Sequence, residues 1–212
     1  MTIIASFPPA MLWAASFAAS NDPAKGPICA IEARKQGDAI RFTGVDGHRC
    51  FRCTVPASDH YFCPEEPLRL LPKAFNKNPT LKALTVEIDD GGVAFFKDRF
   101  GNTTSSVAWQ ADPWALSEQA FPNIEQIWPE PSSLVCTPGE FVAVNASYAG
   151  DFMKVVAKLA PAPGVVRMHT ADSANKPMVW EAELDNGWLE KAGDDTEVWM
   201  QYLLSPLQVR RE

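Results

Sequence analysis

The chain contains three copies of one unit of about 65 residues, and this repeat limits the possible folds more than any single motif. Each copy is predicted to contain a short strand, one helix and three further strands. In the first copy the helix begins at Pro9, a residue favoured in the first helical turn, and ends near Ser20 before Asn21-Asp22-Pro23. Its strands are predicted at residues 2–7, 28–34, 39–45 and 48–55. We therefore treat the chain as three related units.

The second and third copies repeat this order of elements. The second is predicted to have a helix over residues 65–76 and strands at residues 61–63, 84–88, 93–97 and 103–109. The third is predicted to have a helix over residues 147–159, a polar hairpin over 184–195 and strands at residues 141–144, 165–170, 178–183 and 196–204. Residues 111–138 hold five prolines and few strand or helix cues, which makes this segment the best domain boundary. The pattern predicts an α+β fold of antiparallel sheets with a few helices on one face.

The first helix is rich in small residues, and this composition predicts how it packs. Leu12, Ala15, Ser16 and Ala19 share one side at helical spacing. That side is shallow and mostly apolar, so we expect it to pack closely on a sheet.

Composition excludes some classes of function. Seven Trp and twelve Phe argue against a disordered chain of 212 residues. The net charge of −7 argues against a grip on nucleic acid by the whole surface, because Lys and Arg supply that affinity. The acidic net charge is still compatible with a local stripe of basic residues.

The cysteines and the first 20 residues bear on the compartment. Five cysteines is an odd number, so we expect free thiols and a cytoplasmic protein. Residues 1–20 carry no charged side chain, and the small residues at 14–19 resemble a signal cleavage region. A basic segment before them is missing and Pro8-Pro9 divides the stretch, so we expect neither secretion nor a membrane span.

The cysteines, histidines and paired aspartates bear on whether the chain holds a zinc site or an enzyme centre. His48, Cys50, Cys53, His60 and Cys63 lie within 16 residues, and Cys50-x2-Cys53 is a common zinc spacing. On one strand, however, that spacing directs the two thiols to opposite faces, so we expect no metal and no other cofactor. The sequence has three histidines and none of the common catalytic motifs. Asp89-Asp90 and Asp194-Asp195 are predicted to be turn formers, and we expect a non-enzyme.

Four segments in order carry a family resemblance: Val45-Asp46-Gly47-His48-Arg49, residues 121–129, Asn145-Ala146-Ser147-Tyr148 and residues 202–209. Together with the repeat, they resemble the bacterial replicative sliding clamp, the beta subunit of DNA polymerase III. The resemblance implies a complete clamp-like domain of two half-units at 1–129, a Pro-rich connector at 130–138 and a clamp-like half-domain at 139–212. The family has six half-units in a chain and this chain has three, so four chains would supply the twelve half-units of a ring.

The resemblance also implies a peptide-binding pocket between domains, where partners insert a short linear motif. Its lining would be Val45, Gly47, His48, Arg49, Cys50, Pro122, Ile127, Leu203, Ser205, Pro206 and Leu207. Cys50 and Ser205 stand where the family usually carries larger apolar side chains, so we expect altered partner specificity. The alternative is that Leu203 and Ile127 are ordinary core residues and Arg49 an exposed strand residue.

Clamp helices face DNA with Lys and Arg, and this chain has two helical stripes that could do the same. The implied DNA-facing residues are Lys25, Arg69, Lys73, Lys77, Lys154 and Lys158. The alternative is a solvated helix face, and two facts favour it: the first helix has no basic residue, and Pro72 interrupts the second.

The sequence thus predicts a sliding-clamp-like processivity factor that encircles double-stranded DNA as a homo-oligomeric ring. It would tether a DNA polymerase or other clamp-binding protein, with a clamp loader as a further partner. The alternative is a clamp-derived protein-binding module that does not encircle DNA. Because the third unit lacks its companion half, we expect it to find that half in another chain.

Overall fold

The computed structural model describes residues 1–20, 22–76, 82–109, 121–128, 144–169, 177–189 and 198–205. The first unit follows its sequence pattern closely, because its turns and helix boundaries are encoded locally. Its elements are β1 (Ile3–Phe7), α1 (Pro9–Ala18), β2 (Ile31–Gln36), β3 (Ala39–Val45) and β4 (Arg49–Pro56). A 3₁₀ segment at Pro23–Cys29 precedes β2, so that strand begins three residues later than predicted.

The second unit departs from its pattern where prolines are dense. The predicted helix over 65–76 is wrong: β5 (Leu68–Leu70) occupies part of it, and α2 (Pro72–Phe75) is a single turn. Leu71, which precedes a proline, is held in an extended conformation with φ −69° and ψ 116°, so a helix cannot run through it. The predicted strand at 61–63 is only a bridge between Phe62 and Ser6. The remaining strands form as predicted, at β6 (Thr85–Asp89), β7 (Val93–Lys97) and β8 (Thr103–Ala108).

The third unit contains α3 (Ala146–Leu159), β9 (Val166–His169), β10 (Met178–Glu183) and β11 (Trp199–Leu204). The carboxamide oxygen of Asn145 accepts a hydrogen bond from the Ser147 amide at 2.9 Å and so caps α3. A 3₁₀ turn at Asn186–Leu189 lies in the predicted polar hairpin. Residues 141–143 and 190–197, which include part of two predicted strands, lie outside the described residues.

Two antiparallel sheets organise the described strands, which confirms the predicted α+β class. One sheet has the order β1-β6-β7-β8 and the other β5-β2-β3-β4-β11-β10-β9. The first two units exchange a strand each: β1 joins the sheet of the second unit, and β5 joins that of the first. The third unit extends the larger sheet by pairing β11 with β4. The division at 129, 130–138 and 139 stays a prediction, since 129–143 lie outside the described residues.

Helix α1 is buried on all sides rather than on one. Nine of its ten residues are buried, and Phe17 is half-buried. The predicted apolar side is therefore only part of a helix that is apolar all round, as a core helix is. Gly44 of β3 allows the close approach, because a Cβ there would overlap the carbonyl oxygen of Ala15. Helix α1 therefore lies between strands β2–β4 of the larger sheet and the helices α2 and α3, all of which it contacts.

The first predicted turn-forming carboxylate pair behaves as expected. The buried Asp89 accepts hydrogen bonds from the amides of Gly91, at 3.1 Å, and Val93, at 2.7 Å, and so closes the β6–β7 turn. Asp194 and Asp195 lie outside the described residues. Among the described helices, none has the length and apolar character to span a membrane.

Candidate functional site

The junction between the first and third units brings together much of the predicted pocket. In the β4–β11 ladder Cys50 lies opposite Leu203, and in the β3–β4 ladder it lies opposite Val45. The amide of Ser205 donates to the carbonyl of His48 at 2.9 Å. Residues separated by more than 150 positions in the chain therefore meet because one strand pair forms in one register.

A second apolar cluster, separate from the main core, lies beneath this junction. It contains Val45, Cys50, Leu203, Phe121, Ile124 and Val179, with Ile28 and Trp128 packed against it. Leu203 is therefore a core residue, as the alternative reading held. Phe121, Ile124 and Val179 were not among the predicted lining residues. Phe121 and Ile124 belong to a segment the sequence had singled out, whereas nothing marked Val179 except its place in an alternating strand.

The turn Asp46-Gly47-His48 is a compact structural unit. The Asp46 carboxylate oxygen Oδ1 accepts from the amides of His48, at 2.9 Å, and Arg49, at 3.1 Å. Gly47 has φ +94°, a conformation that other residues rarely adopt. The turn holds His48 exposed at the surface beside Tyr148 of α3, with ring centroids 6.2 Å apart and an interplanar angle of 20°. The stacked rings of His48 and Tyr148 therefore lie together at the junction between the first and third units.

Arg49 connects the two units rather than pointing freely into solvent. Its guanidinium donates to Asp46 at 2.8 Å, to Asp151 of α3 at 2.6 Å and to the Tyr202 hydroxyl at 3.2 Å. It also lies 4.4 Å from the ring centroid of Tyr148. Only 12% of its side chain is exposed, so the reading of Arg49 as an exposed strand residue is wrong. Asp151 and Tyr202 as its partners could not be read from the sequence.

The pKa values at this cluster follow from burial and pairing. Burial disfavours the charged form of Arg49, but Tyr202, Asp151 and Asp46 outweigh it and hold the arginine pKa above its usual range. Burial would raise the pKa of Asp151, yet the hydrogen bonds from Arg49 and Lys154 hold it below the ordinary value. Burial raises the pKa of the Tyr202 hydroxyl, despite the opposing effect of Arg49. The cluster is therefore a charged ion-pair network at neutral pH.

The other residues predicted for the pocket are exposed, half-buried or outside the described region. Pro122 is exposed, and Ile127 is 51% exposed, so Ile127 is not a core residue. Ser205 is half-buried. Pro206 and Leu207 lie outside the described residues. The exposed His48, stacked on Tyr148, and the exposed Ile127 side chain are of the kind that an extended, partly hydrophobic peptide could contact.

Of the cysteines in the described ranges, Cys29, Cys50 and Cys53 are buried and Cys63 is half-buried. Cys50 lies in the junction cluster and Cys53 in the main core, on opposite faces of β4. Burial raises the pKa of Cys53 to about 12 and that of Cys63 to about 11. Within the described ranges, no group of His, Cys, Asp and Glu could hold a metal ion.

The structure separates the predicted DNA-facing residues. Arg69 lies on β5, so the predicted helical stripe of Arg69, Lys73 and Lys77 does not exist as such. Lys73 is exposed on the short α2, and Lys77 lies outside the described residues. Lys25 donates to the carbonyl of Asp46 at 3.1 Å, beside the turn that carries His48.

Helix α3 keeps its two predicted lysines on an exposed face. Lys154 pairs with Asp151 at 2.9 Å and remains 67% exposed. Lys158 is exposed one turn further on. Helix α1 is buried and carries no basic residue. Within the described region, the exposed basic residues of α-helices therefore lie on α3 and on the α2 turn.

A polar ladder crosses the larger sheet at the same junction. Arg52 of β4 donates to Gln201 of β11 at 2.7 and 2.9 Å, and Gln201 donates to Glu181 of β10 at 2.6 Å. Arg52 also lies 3.9 Å above the ring of Trp128 and pairs with Glu125. Side-chain hydrogen bonds therefore reinforce the β4–β11 ladder, and the third unit docks firmly on the first.

Comparison of the whole structure decides the fold. The solved sliding clamp of Bartonella birtlesii, bound to griselimycin, superposes with a TM-score of 0.62 at 15% identity over 99% of this chain and 67% of that chain. The chain has the sliding-clamp fold. The beta subunit from Streptococcus pyogenes matches with a TM-score of 0.63, and the Bacillus subtilis sliding clamp with 0.61, both at 12% identity over 99% of this chain and 66% of theirs. The chain spans about two thirds of the length of these clamps.

Sequence comparison adds nothing to this result. No protein-family model matches the chain, and no curated protein matches it. The clamp fold is therefore recognisable in three dimensions and in a few short motifs.

Proposed function

We propose that the chain is a sliding-clamp-like processivity factor that encircles duplex DNA as a ring of several copies and tethers a DNA polymerase or another DNA-acting enzyme. The observation that carries the proposal is the continuous seven-stranded sheet, in which β4 and β11 join two units and bring Cys50 and Leu203 opposite each other. The clamp fold over 99% of the chain supports it.

In this mechanism the chain catalyses nothing. A closed ring would keep its partner on the duplex by topology, so that dissociation of the partner from the primer end leaves it still tethered. The base of the pocket would be formed by Leu203 and Val45, with His48 and Ile127 at the rim to contact an incoming peptide. Loose contacts from exposed lysines to phosphates would permit sliding, because such contacts carry no base specificity.

Retention on circular DNA tests the ring. Chains dissociated by dilution and concentrated again in the presence of nicked circular duplex should assemble around it, which removes the need for a loader. We expect the protein to co-elute with the circle in gel filtration at moderate salt and to be lost after a single restriction cut. Equal elution with cut and uncut DNA would contradict encirclement.

Charge variants in the same assay test the DNA-facing surface. Lys158→Glu combined with Lys73→Glu should reduce recovery on circles several-fold, because two exposed positive charges are reversed. Lys154 is left unchanged, since it pairs with Asp151 in the Arg49 network. Lys35→Glu at an exposed lysine on β2 makes the same change of charge as either single variant, Lys73→Glu or Lys158→Glu, and serves as the control for those single variants; it should retain the protein.

Ligand binding tests the pocket, and griselimycin is the probe because the Bartonella birtlesii clamp is solved bound to it. We expect this chain to bind griselimycin, measured by isothermal titration calorimetry. His48→Ala and Ile127→Ser should each weaken binding about tenfold, since both remove exposed contact surface at the rim. Phe100→Ala removes a side chain that is 80% exposed at the β7–β8 turn and should change nothing. Absence of binding to the unaltered chain would contradict the pocket.

A second candidate function is a protein-binding module that does not encircle DNA. The burial of α1 favours it, because that helix offers no charged face to a duplex. This candidate predicts griselimycin binding without any preference for circular DNA. The two assays together therefore separate the two functions.

A further inference from the structure

A polar cavity of about 260 Å³ lies on the face of the larger sheet that is opposite to α1. Phe42 and Cys53, the chain neighbours of Arg41 and Arg52, belong to the main core, so the two arginines lie on the other face. The cavity is lined by Gln36, Arg41, Arg52, Thr54, Glu125 and Gln201. None of these six residues is among those predicted for the peptide-binding pocket, so the cavity is a separate site.

Two arginines converge on one carboxylate in this cavity. Arg41 pairs with Oε1 of Glu125, and Arg52 lies 3.3 Å from Oε2 of the same side chain. The side chains of Arg41 and Arg52 are only 14% and 19% exposed, whereas that of Glu125 is 51% exposed. Two largely buried positive charges therefore share a single negative charge, which comes from the more exposed side chain.

The structure holds Arg52 in place by contacts other than the one with Glu125. Gln201 Oε1 accepts from Nε of Arg52 at 2.9 Å and from Nη2 at 2.7 Å. The guanidinium also lies 3.9 Å from the ring centroid of Trp128. Its Nη1 group is the part that contacts the carboxylate. Because Arg52 is already fixed, it would lose little conformational entropy on binding an anion.

Arg41 has hydrogen-bonding capacity that its contacts do not use. Its Nε–H is buried, and no residue in the described part of the chain accepts from it. Arg34 lies directly opposite Arg41 in the β2–β3 ladder, and like charges in that arrangement are destabilising, although Glu32 pairs with Arg34. An anion that satisfies Arg41 more fully than Glu125 does would offset both costs.

We propose that Arg41 and Arg52 bind a carboxylate from an acidic segment of a partner protein, and that Glu125 occupies this site until the partner displaces it. A carboxylate already fits between the two guanidiniums, and arginine is well suited to bind such a group through paired hydrogen bonds. A protein segment is favoured over DNA because in the proposed ring the helices face the duplex, and the cavity lies on the opposite face of the sheet. This choice of partner rests on the proposed function.

Binding of a fluorescently labelled hexaglutamate peptide, measured by anisotropy, tests the site. The net charge of −7 repels such a peptide, so binding requires a local basic site. We expect the unaltered chain to bind hexaglutamate and not hexaglutamine. Glu125→Gln should tighten binding about tenfold, because it removes the charge that competes for the two arginines. Arg41→Gln should weaken binding about tenfold for the opposite reason. Arg99→Gln makes the same change of charge at an exposed residue beyond β7 and should change nothing.

Three results would overturn the proposal. The first is that neither the unaltered chain nor Glu125→Gln binds hexaglutamate. The second is that Glu125→Gln binds no more tightly than the unaltered chain; this comparison stays decisive even if Arg41→Gln unfolds, because unfolding cannot raise affinity. The third is that an oligothymidylate binds more tightly than hexaglutamate and loses affinity in a folded Arg41→Gln variant, which would make phosphate the ligand.

Retention on circular DNA separates failure of this site from failure of the proposed function. Retention on circles without hexaglutamate binding refutes only the carboxylate site. Hexaglutamate binding with the expected variant effects, in a protein that shows no preference for circles, refutes only the ring on DNA.

Discussion

Replacing Arg49 with methionine should cost about 3 kcal/mol of folding free energy, because it breaks a largely buried ion-pair network between the first and third units. Arg49 is 12% exposed, and its partners Asp46 and Asp151 are 11% and 18% exposed. Asp46 keeps its backbone hydrogen bonds and Asp151 keeps Lys154, so the loss is confined to the contact between the units. Urea unfolding measures the change.

Lys35→Met is the matched control for Arg49→Met. Lys35 of β2 pairs with Glu65, but the two side chains are 40% and 82% exposed, so loss of this surface pair should change stability little. Hydrogen exchange locates the effect: β11 should lose protection in Arg49→Met while β6 and β7 keep theirs. Equal loss of stability in the two variants would show that the network does not hold the junction.

The same network predicts a pH dependence. The pKa of Asp151 in the folded protein lies below the ordinary value of 3.8, so its ion pairs stabilise the fold at pH well above 3.8. That stability is lost as the pH falls through the folded pKa. Arg49→Met should therefore show a smaller loss of stability between pH 6 and pH 3 than the unaltered chain, both measured by urea unfolding at each pH.

Replacing Gly44 with alanine should destabilise the protein by about 3 kcal/mol, at the upper end of what overpacking costs. The new Cβ would overlap the carbonyl oxygen of Ala15 and lie 3.1 Å from its carbonyl carbon and 3.2 Å from the Ala19 amide nitrogen. These are backbone atoms of a helix buried on all sides, so the helix must move as a whole.

Gly150→Ala provides a control of opposite sign. Gly150 lies within α3, and a Cβ there would meet nothing within 4 Å. Alanine is favoured over glycine in a helix by about 0.5–1 kcal/mol, so the melting temperature should rise. A Gly44→Ala variant as stable as the unaltered chain would show that α1 does not pack against β3 as closely as the structure has it.

Much of the fold was predictable because its determinants are local. Pro9 begins α1, and Asp46-Gly47 forms the turn between β3 and β4. Asp89 closes the β6–β7 turn by accepting hydrogen bonds from the amides two and four residues after it. The spacing of Cys50 and Cys53 predicted opposite faces of one strand, which the two separate apolar clusters confirm. The helix predicted over 65–76 is wrong because Pro67 and Pro72 lie within it and a proline disfavours a helical conformation in the residue before it.

The site was only partly predictable, because its contacts join distant parts of the chain. The motif around Asp46-Gly47 could be recognised, but Arg49 meets Asp151 and Tyr202 across 102 and 153 positions. Those contacts exist because β11 pairs with β4 in one register, and a slip of one residue would turn Tyr202 to the other face.

The sequence by itself determined most of the units: their turns, their alternation and the starts of α1 and α3 follow from the conformational preferences of neighbouring residues. The tertiary structure alone decided the exchange of β1 and β5 between units, the complete burial of α1 and the meeting of the third unit with the first. Strand exchange and docking depend on burying apolar surface between elements far apart in the chain, and the free energy of that burial has no local signature.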